Sequence, residues 1–249
     1  MKDNFSKQSD LYSRFRPGYP NRLFDFLIPL LPDKKYAWDC ATGNGQVAAK
    51  LCKYFKEVYA TDLSAAQINN AEKKQNIFYS VESAEETLLP DNKFDLITVA
   101  QAIHWFDFKS FYKQVDRTLK PGGVIAIIGY DVCSINKEIN FLINDFYSKT
   151  IGPYWDKERK YVEEHYTTIP FPFKEIKTPR FSISYKWELE ELIGYLNTWS
   201  AVQHYTRKNN ENPVTKISEQ LKEVWGSVVK RKVTFPVFMR TGIKQNITF

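Results

Sequence analysis

Five short apolar runs alternate with segments of helical periodicity between residues 36 and 130. The runs are Tyr36–Cys40, Val58–Thr61, Ile77–Val81, Phe94–Gln101 and Val124–Gly129. Phe94–Gln101 is almost continuously apolar, as a strand covered on both faces requires. Strands that alternate with helices at this spacing form parallel sheets with right-handed crossovers. We therefore predict a doubly wound α/β fold.

The remainder of the chain is less regular. Helices are predicted over Pro20–Leu31, with an early end or kink at Pro29, and over Asn136–Lys149, Glu188–Thr198 and Val214–Val229. Alternating residues predict further strands at Phe181–Tyr185 and Val233–Arg240. With 249 residues and 43% hydrophobic content, the chain is long enough for one sizeable core. We expect a single domain over 1–249, with a core of about 36–130 plus the strands of 170–249, and helical caps from 1–35 and about 131–232.

The amino-acid composition limits the kinds of partner that the protein is expected to bind. The 35 basic and 29 acidic residues are spread along the chain, so the net charge of +6 does not require nucleic acid. Three cysteines without a CxxC pair make a disulfide framework or a structural zinc site unfavourable, and we expect no metal. The polar N-terminus and the lack of an apolar run of about 18 residues predict a cytoplasmic protein with no membrane partner. Aromatic residues make up 16% of the chain, which favours a wide apolar pocket for a small molecule.

A glycine-containing turn and an acidic residue follow the first two strands. Gly43-Asn44-Gly45-Gln46 follows the first strand, and Asp62 ends the second, 19 residues after Gly43. Glycines permit a sharp turn and leave backbone open to a ligand, and the next helix presents its N-terminal N–H groups. A carboxylate at the end of the second strand can accept both hydroxyls of a ribose. This pattern also fits the G-x-G-x-x-A form of the dinucleotide fingerprint, so a nicotinamide-dependent oxidoreductase stays open at this point.

A larger set of motifs resembles the class I S-adenosylmethionine-dependent methyltransferases. The set consists of Asp39-x-Ala41-x-Gly43-x-Gly45, Asp62, Ser83-Ala84-Glu85, Asp95 and Leu119-Lys120-Pro121-Gly122-Gly123. The resemblance covers roughly residues 36–130 and departs from the family at Ala41, where a glycine is usual. It implies a Rossmann-like, seven-stranded sheet that is mostly parallel with an antiparallel last strand, and S-adenosylmethionine as cofactor.

Motifs outside this core resemble a small-molecule subgroup, the trans-aconitate methyltransferase-like enzymes, some of which methylate carboxylic acids. They are Phe5, Tyr12, Arg14, Arg16, Pro17, Tyr19 and Pro20, then His104-Trp105-Phe106-Asp107, then Thr198-Trp199-Ser200 with Tyr205. The resemblance implies methyl transfer to a small-molecule acceptor, with a carboxylate oxygen favoured. A protein that keeps S-adenosylmethionine binding but has lost turnover is a further alternative.

The resemblance also implies a role for each matched position. Gly43, Asn44 and Gly45 would lie under the methionine part of the cofactor, Asp62 at the ribose, and Leu63, Ala84 and Glu85 at the adenine. Gln101 and Ala102 would line the floor, and Tyr12 and Arg16 would cover the cofactor, with Arg16 at its carboxylate. The remaining positions expected to contact the cofactor are Asp39, Ala41, Gln46, Gln67, Ser83 and Trp105. The acceptor would meet Arg14, Tyr19, His104, Trp199, His204 and Tyr205.

His104 and Trp105 are the residues expected nearest the transferred methyl group. Methyl transfer from a sulfonium is an in-line displacement, in which alignment of the reactants can lower the barrier by about 7–11 kcal/mol. A carboxylate acceptor is already ionised at neutral pH and needs no base. The alternative interpretations are that His104 and Trp105 only pack, that Trp199 belongs to a core stripe, and that Tyr12, Arg14 and Arg16 form a solvated helix face.

Overall fold

The computed structural model describes residues 15–245 and contains one mixed β-sheet. Its strands are β1 Tyr36–Cys40, β2 Glu57–Asp62, β3 Ile77–Val81, β4 Phe94–Ala100, β5 Leu119–Tyr130, β6 Lys174–Ile176, β7 Phe181–Trp187 and β8 Arg231–Ile243. The strand order is β3-β2-β1-β4-β5-β8-β6, and β7 also pairs with β8. β1 to β5 pair in parallel, whereas β8 is antiparallel to β5, β6 and β7. The predicted α/β fold class is confirmed.

Successive side chains of the central strands enter two different cores. Ala37, Leu96 and Val124 belong to a core on one face of the sheet, and Trp38 and Ile97 belong to a core on the other. All five are fully buried. Because β1 and β4 are neighbours but their crossovers lead in opposite directions, a crevice forms at their carboxyl ends, where sheets of this kind bind ligands.

The sheet differs from the seven-stranded prediction by one strand. The edge position beyond β8 is divided into β6, which pairs with Thr241–Ile243, and β7, which pairs with Arg231–Val237. Between them, Thr178 Oγ1 donates to the carbonyl of Met239 at 2.7 Å. The two strands are therefore one interrupted edge strand, and Pro179 lies in the interruption.

The segment Lys120–Gly123, which contains Pro121 and two glycines, forms a turn that lies inside β5 as an irregularity of the strand. Phe94 pairs with Leu119 and Leu96 with Val124, so the residues between Leu119 and Val124 bulge from the ladder. Gly122 has φ +76°, and its N–H donates to the carbonyl of Lys244 at 2.9 Å. Pairing with the segment after β8 keeps this turn within the strand.

Helices cover the sheet and extend it on one side. In the part of the chain that the structure describes, the α-helices are α1 Asn21–Leu27, α2 Ala48–Leu51, α3 Ala65–Asn69, α4 Phe108–Thr118, α5 Lys137–Asp145, α6 Arg159–Glu163, α7 Leu189–Asn197, α8 Ser200–Asn209 and α9 Val214–Trp225. A 3₁₀ turn containing Pro29 follows α1, as the kink prediction required. α5 ends early because a π-turn, Phe146–Thr150, replaces its last predicted residues. No helix within 15–245 is long and apolar enough to cross a membrane.

Candidate functional site

The turn after β1 contains three residues with positive φ. They are Ala41 at +52°, Gly43 at +57° and Gly45 at +82°. A Cβ built on Gly43 would have only Gln67 Oε1 near it, at 4.0 Å, so this face of the turn is open. A Cβ on Gly45 would collide with the hydroxyl of Tyr79 and lie 3.2 Å from its Cζ. The expectation that both glycines leave backbone open to a ligand therefore holds for Gly43, whereas Gly45 makes room for Tyr79.

Asp39 supports this turn from below. It is 1% exposed, and its carboxylate accepts hydrogen bonds from Thr42 Oγ1 at 2.5 Å, Thr98 Oγ1 at 2.7 Å and the N–H of Ala48 at 3.1 Å. Burial raises the pKa of Asp39 to about 6, against the opposing effect of these hydrogen bonds. The carboxylate thus takes the first N–H of α2. Since α2 has only four residues and its first N–H is bonded to Asp39, its N-terminus is not the open anion site that the sequence suggested.

Asp62 joins the ends of β1 and β2. One carboxylate oxygen accepts from the N–H of Gly43 at 2.8 Å, and the other accepts from the N–H of Ser64 at 2.8 Å. Ser64 in turn caps α3 through the N–H of Gln67. Leu63, between these residues, is partly buried. Gln67 is 3% exposed, and its Oε1 is buried without a hydrogen-bond partner in the described part of the chain. The structure therefore leaves an unsatisfied acceptor close to the open face of Gly43.

The residue after β4 closes the crevice from the other side. Gln101 has φ +54°, which is uncommon for a residue with a side chain. Its amide pairs with both backbone groups of Tyr130, donating to the carbonyl at 3.2 Å and accepting from the N–H at 3.1 Å. Ala102 beyond it is 8% exposed. Positive φ values at both Ala41 and Gln101, on neighbouring strand ends, are the kind of local strain that collects at functional sites.

The loop after β3 is tied to the segment after β4. Glu85 accepts from Ser83 Oγ at 2.5 Å and from the N–H of Asp107 at 3.2 Å. Ala84 between them is 3% exposed. The ends of β1, β2, β3 and β4 therefore meet at one edge of the sheet.

A cavity, which we call the glycine cavity, lies beside the turn. Its lining is Arg16, Pro17, Tyr19, Asp39, Ala41, Thr42, Gly43, Asn44, Gln46, Val47, Ala100 and Tyr130. Tyr19, which was predicted at the acceptor, lines this cavity, and its ring lies 6.4 Å from that of Tyr130. Asp62 is bound to the turn through Gly43 and is not part of this lining.

A second cavity, the aromatic cavity, adjoins the first. Its lining is Arg16, Gln101, His104, Trp105, Tyr130, Trp155, Asp156, Arg159, Tyr195, Trp199 and Ser200. The two cavities share Arg16 and Tyr130. Arg16 donates to the hydroxyl of Tyr130 at 2.9 Å and to the carbonyl of Thr198 at 2.9 Å. A guanidinium therefore stands at the junction of two chambers.

His104 is a neutral imidazole in the wall of the aromatic cavity. It is 7% exposed, and burial lowers its pKa to about 3, with the positive charges of Arg159 and Arg16 adding to the effect. Its Nδ1 lies 3.0 Å from the hydroxyl of Tyr166. Trp105 packs beside it with ring centroids 4.9 Å apart. Both residues predicted at the reacting centre line the same cavity.

Arg159, the second cation of the aromatic cavity, was missed by sequence reasoning. Its guanidinium lies over the rings of Trp155 at 4.8 Å and Tyr147 at 5.4 Å, and its Nε donates to the hydroxyl of Tyr147 at 2.8 Å. No pattern in the sequence marks it, since it is the first residue of α6, a helix of only five residues that the sequence pattern did not predict. Trp155 and Asp156 were missed because they lie in the irregular region before this helix, whereas Tyr195 lies on the predicted helix α7 and was not recognised as a site residue.

The remaining residues predicted to bind the acceptor lie in different parts of the structure. Trp199 lines the cavity and is also core, 3% exposed and packed on Trp155 at 5.8 Å. His204 lies outside the lining because its Nδ1 is bound to the carbonyl of Tyr154 at 2.9 Å. Tyr205 faces a different groove, with its hydroxyl on Glu211 at 2.8 Å, so its prediction as a cavity residue is corrected. Predictions that fall on Phe5, Tyr12 and Arg14 lie outside the described residues.

The fold and the site define an α/β protein with a ligand crevice at the switch point of a doubly wound sheet, and the relatives of the chain identify its family. A family model described as "Methyltransferase domain" matches residues 38–127. A Dictyostelium discoideum protein named "Putative methyltransferase" is 34% identical over 98% of this chain and 95% of its own length. The chain therefore belongs to the class I S-adenosylmethionine-dependent methyltransferases.

Solved structures agree with this membership. The structure of a "Putative Type II Methyltransferase" from Anaeromyxobacter dehalogenans has a TM-score of 0.86 and 35% identity, covering 93% of this chain and 99% of that one. A Haemonchus contortus phosphoethanolamine N-methyltransferase, solved with S-adenosylhomocysteine, shares the fold at a TM-score of 0.50 and 17% identity, over 97% of this chain and 58% of its own. The nicotinamide alternative finds no support in these relatives.

Proposed function

We propose that the protein transfers a methyl group from S-adenosylmethionine to a carboxylate oxygen of a small organic acid. The observation that carries the proposal is the pair of adjoining cavities with Arg16 at their junction and Arg159 in the second one. One chamber borders the glycine turn, and the other combines aromatic walls with two guanidinium groups. That combination suits an acceptor with an apolar body and an anionic group.

The residues around the glycine turn fit the cofactor. Gln67 Oε1, buried without a partner within 15–245, offers an acceptor for an amino group, and the open face of Gly43 leaves room beside it. Asp62 would hold the ribose, because its carboxylate lies at the end of β2 and is fixed beside the glycine turn by the N–H of Gly43. Arg16 would pair with the methionyl carboxylate. S-adenosylmethionine supplies, when bound, a methyl group on a positively charged sulfur.

The chain's own groups then orient the acceptor without having to deprotonate it. Arg159 can form charge-assisted hydrogen bonds to a carboxylate, and Trp105 and Trp155 enclose its apolar part. The imidazole of His104 stays neutral at physiological pH and therefore adds no positive charge to the cavity. An acid acceptor is ionised already, so alignment supplies the catalytic advantage. This chemistry agrees with the trans-aconitate methyltransferase-like resemblance, which we retain as part of the proposal, together with the single-domain organisation and the cytoplasmic location.

The experiment compares Arg159→Met with the matched control Arg180→Met. Methionine keeps much of the apolar contact with Trp155 but removes the charge, whereas Arg180 is exposed between β6 and β7. Loss of charge-assisted hydrogen bonds worth about 1.5–3 kcal/mol predicts a fall in kcat/KM for the acceptor of roughly 10- to 150-fold. Titration calorimetry should give the same S-adenosylmethionine affinity for both variants and the wild type. Equal kcat/KM values for R159M and R180M would contradict an anionic acceptor in this cavity.

A screen of acids, alcohols and amines separates the remaining alternatives. Transfer only to acids supports the proposal. Transfer only to amines or alcohols would show that the acceptor is an amine or alcohol and not a carboxylic acid. Cofactor binding with no transfer to any acceptor would favour a silent binding protein.

A further inference from the structure

Tyr166 is held in an unusual backbone conformation directly behind His104. Both His165 and Tyr166 have positive φ, +51° and +61°, although such values are rare for bulky residues. The Tyr166 side chain is 0% exposed, stacks on His104 with ring centroids 5.9 Å apart, and meets Phe238 edge-on at 5.2 Å. A conformation of this kind persists only when surrounding contacts impose it.

Arg240 of β8 supplies those contacts. Its Nη1 donates to the carbonyl of Tyr166 at 2.7 Å and to that of Ile169 at 2.7 Å. The rest of the guanidinium pairs with both carboxylate oxygens of Glu175 on β6, at 2.8 and 2.9 Å. The interrupted edge of the sheet therefore fixes the segment that carries Tyr166, and through it the position of the Tyr166 hydroxyl.

We propose that Tyr166 is a positioning residue that holds His104 as the Nε2–H tautomer, so that Nε2–H donates a hydrogen bond to the acceptor carboxylate. The Tyr166 hydroxyl lies 3.0 Å from Nδ1, and a phenol donates a hydrogen bond more readily than it accepts one. Donation to Nδ1 leaves the single proton of a neutral imidazole on Nε2. Nε2 makes no hydrogen bond within the described residues, and His104 lines the aromatic cavity.

This assignment deepens the proposed function and rests on it. A histidine that acts as a base for a hydroxyl acceptor needs a free lone pair on the nitrogen that faces the acceptor. The Nε2–H tautomer presents a donor there instead, which complements an oxygen of a carboxylate. The tautomer of His104 therefore distinguishes a carboxylate acceptor from an acceptor that must lose a proton.

The first test is the ¹⁵N spectrum of the wild-type protein with labelled histidine at pH 7. The chain has only three histidines, His104, His165 and His204, and His104→Asn identifies the His104 signals by their loss. The expected result is a protonated Nε2 and an unprotonated Nδ1 in His104. A protonated Nδ1 would overturn the proposal, and this measurement needs neither substrate nor turnover.

The second test compares Tyr166→Phe with Tyr112→Phe. Tyr112 is a suitable control because it is 7% exposed and its hydroxyl has no hydrogen-bond partner in the described part of the chain. Y166F should move the His104 signals towards a mixture of tautomers and raise the acceptor KM by about 2- to 12-fold, as loss of one hydrogen bond does. Cofactor affinity should not change, and Y112F should match the wild type.

Unchanged His104 signals in Y166F would show that another contact sets the tautomer and would overturn the role of Tyr166. Failure of the proposed function is a different result, namely no transfer to any acid by the wild-type protein. Should Y166F not fold, the wild-type spectrum still decides the tautomer.

Discussion

Substitution of Gly45 by alanine tests the geometry of the turn on which the cofactor site depends. Gly45 has φ +82°, and an added Cβ would collide with the Tyr79 hydroxyl. A side chain in the left-handed region costs about 1–2 kcal/mol, and an extra methyl group in a filled space costs about 1–3 kcal/mol. G45A should therefore lower the free energy of unfolding by about 2–5 kcal/mol and weaken S-adenosylmethionine binding, because the turn must move to relieve the collision.

Gly122→Ala is the matched control for this variant. Gly122 has a similar φ, +76°, but nothing lies within 4 Å of an added Cβ. G122A should thus show only the backbone cost of about 1–2 kcal/mol, with cofactor binding unchanged.

Urea denaturation of both variants, alone and combined with Tyr79→Phe, separates the two contributions. Removal of the Tyr79 hydroxyl leaves Cζ at 3.2 Å from the added Cβ, so Y79F should restore part of the loss in G45A and nothing in G122A. Equal destabilisation of G45A and G122A, or no effect of Y79F on the difference between them, would show that the collision with Tyr79 does not explain the need for glycine at position 45.

Two further predictions concern the ends of β1 and β4. Ala41→Gly should stabilise the protein by about 0.5–1 kcal/mol, since relief of a positive φ of +52° exceeds the entropy cost of glycine; a lower urea midpoint would contradict this. Because burial lowers the pKa of His104 to about 3, kcat/KM should show no inflection from His104 between pH 5 and 8. The depressed pKa also means that the unfolded chain takes up this proton first, so the contribution of His104 to stability is complete above pH 6.5 and falls as the pH drops, by about 2 kcal/mol at pH 5. Between pH 7.5 and pH 5 the wild type should therefore lose about 2 kcal/mol more stability than His104→Asn does, and equal changes in the two proteins would contradict this.

The cofactor side of the site could be predicted because its residues follow directly from strand ends. Asp39, Gly43, Asp62 and Gln101 each stand within three residues of a strand that the apolar pattern identifies. Parallel pairing brings such positions to one edge of the sheet whatever the rest of the chain does. The sequence pattern could not show that Gly43 and Gly45 have different roles, because the need for glycine at position 45 depends on the Tyr79 side chain of another strand.

The acceptor side could be predicted only in part because it depends on packing between distant segments. Arg159 and Tyr166 stand in an irregular region, and their position near His104 follows from the contacts of Arg240, 74 residues from Tyr166. Tyr205 shows the opposite error. It lies on the same helix as Ser200, but five residues along a helix is about one and two-fifths turns, which directs it to another face.

Methyl transfer to a carboxylate oxygen is tested most directly by incubation of the wild-type protein with S-adenosylmethionine and a panel of small organic acids, followed by mass spectrometry. We expect one acid of the panel to gain a methyl group as an ester, in step with the formation of S-adenosylhomocysteine. This product should be lost in R159M. Methylation confined to nitrogen or hydroxyl acceptors, or no product from a protein that binds the cofactor, would contradict this proposal.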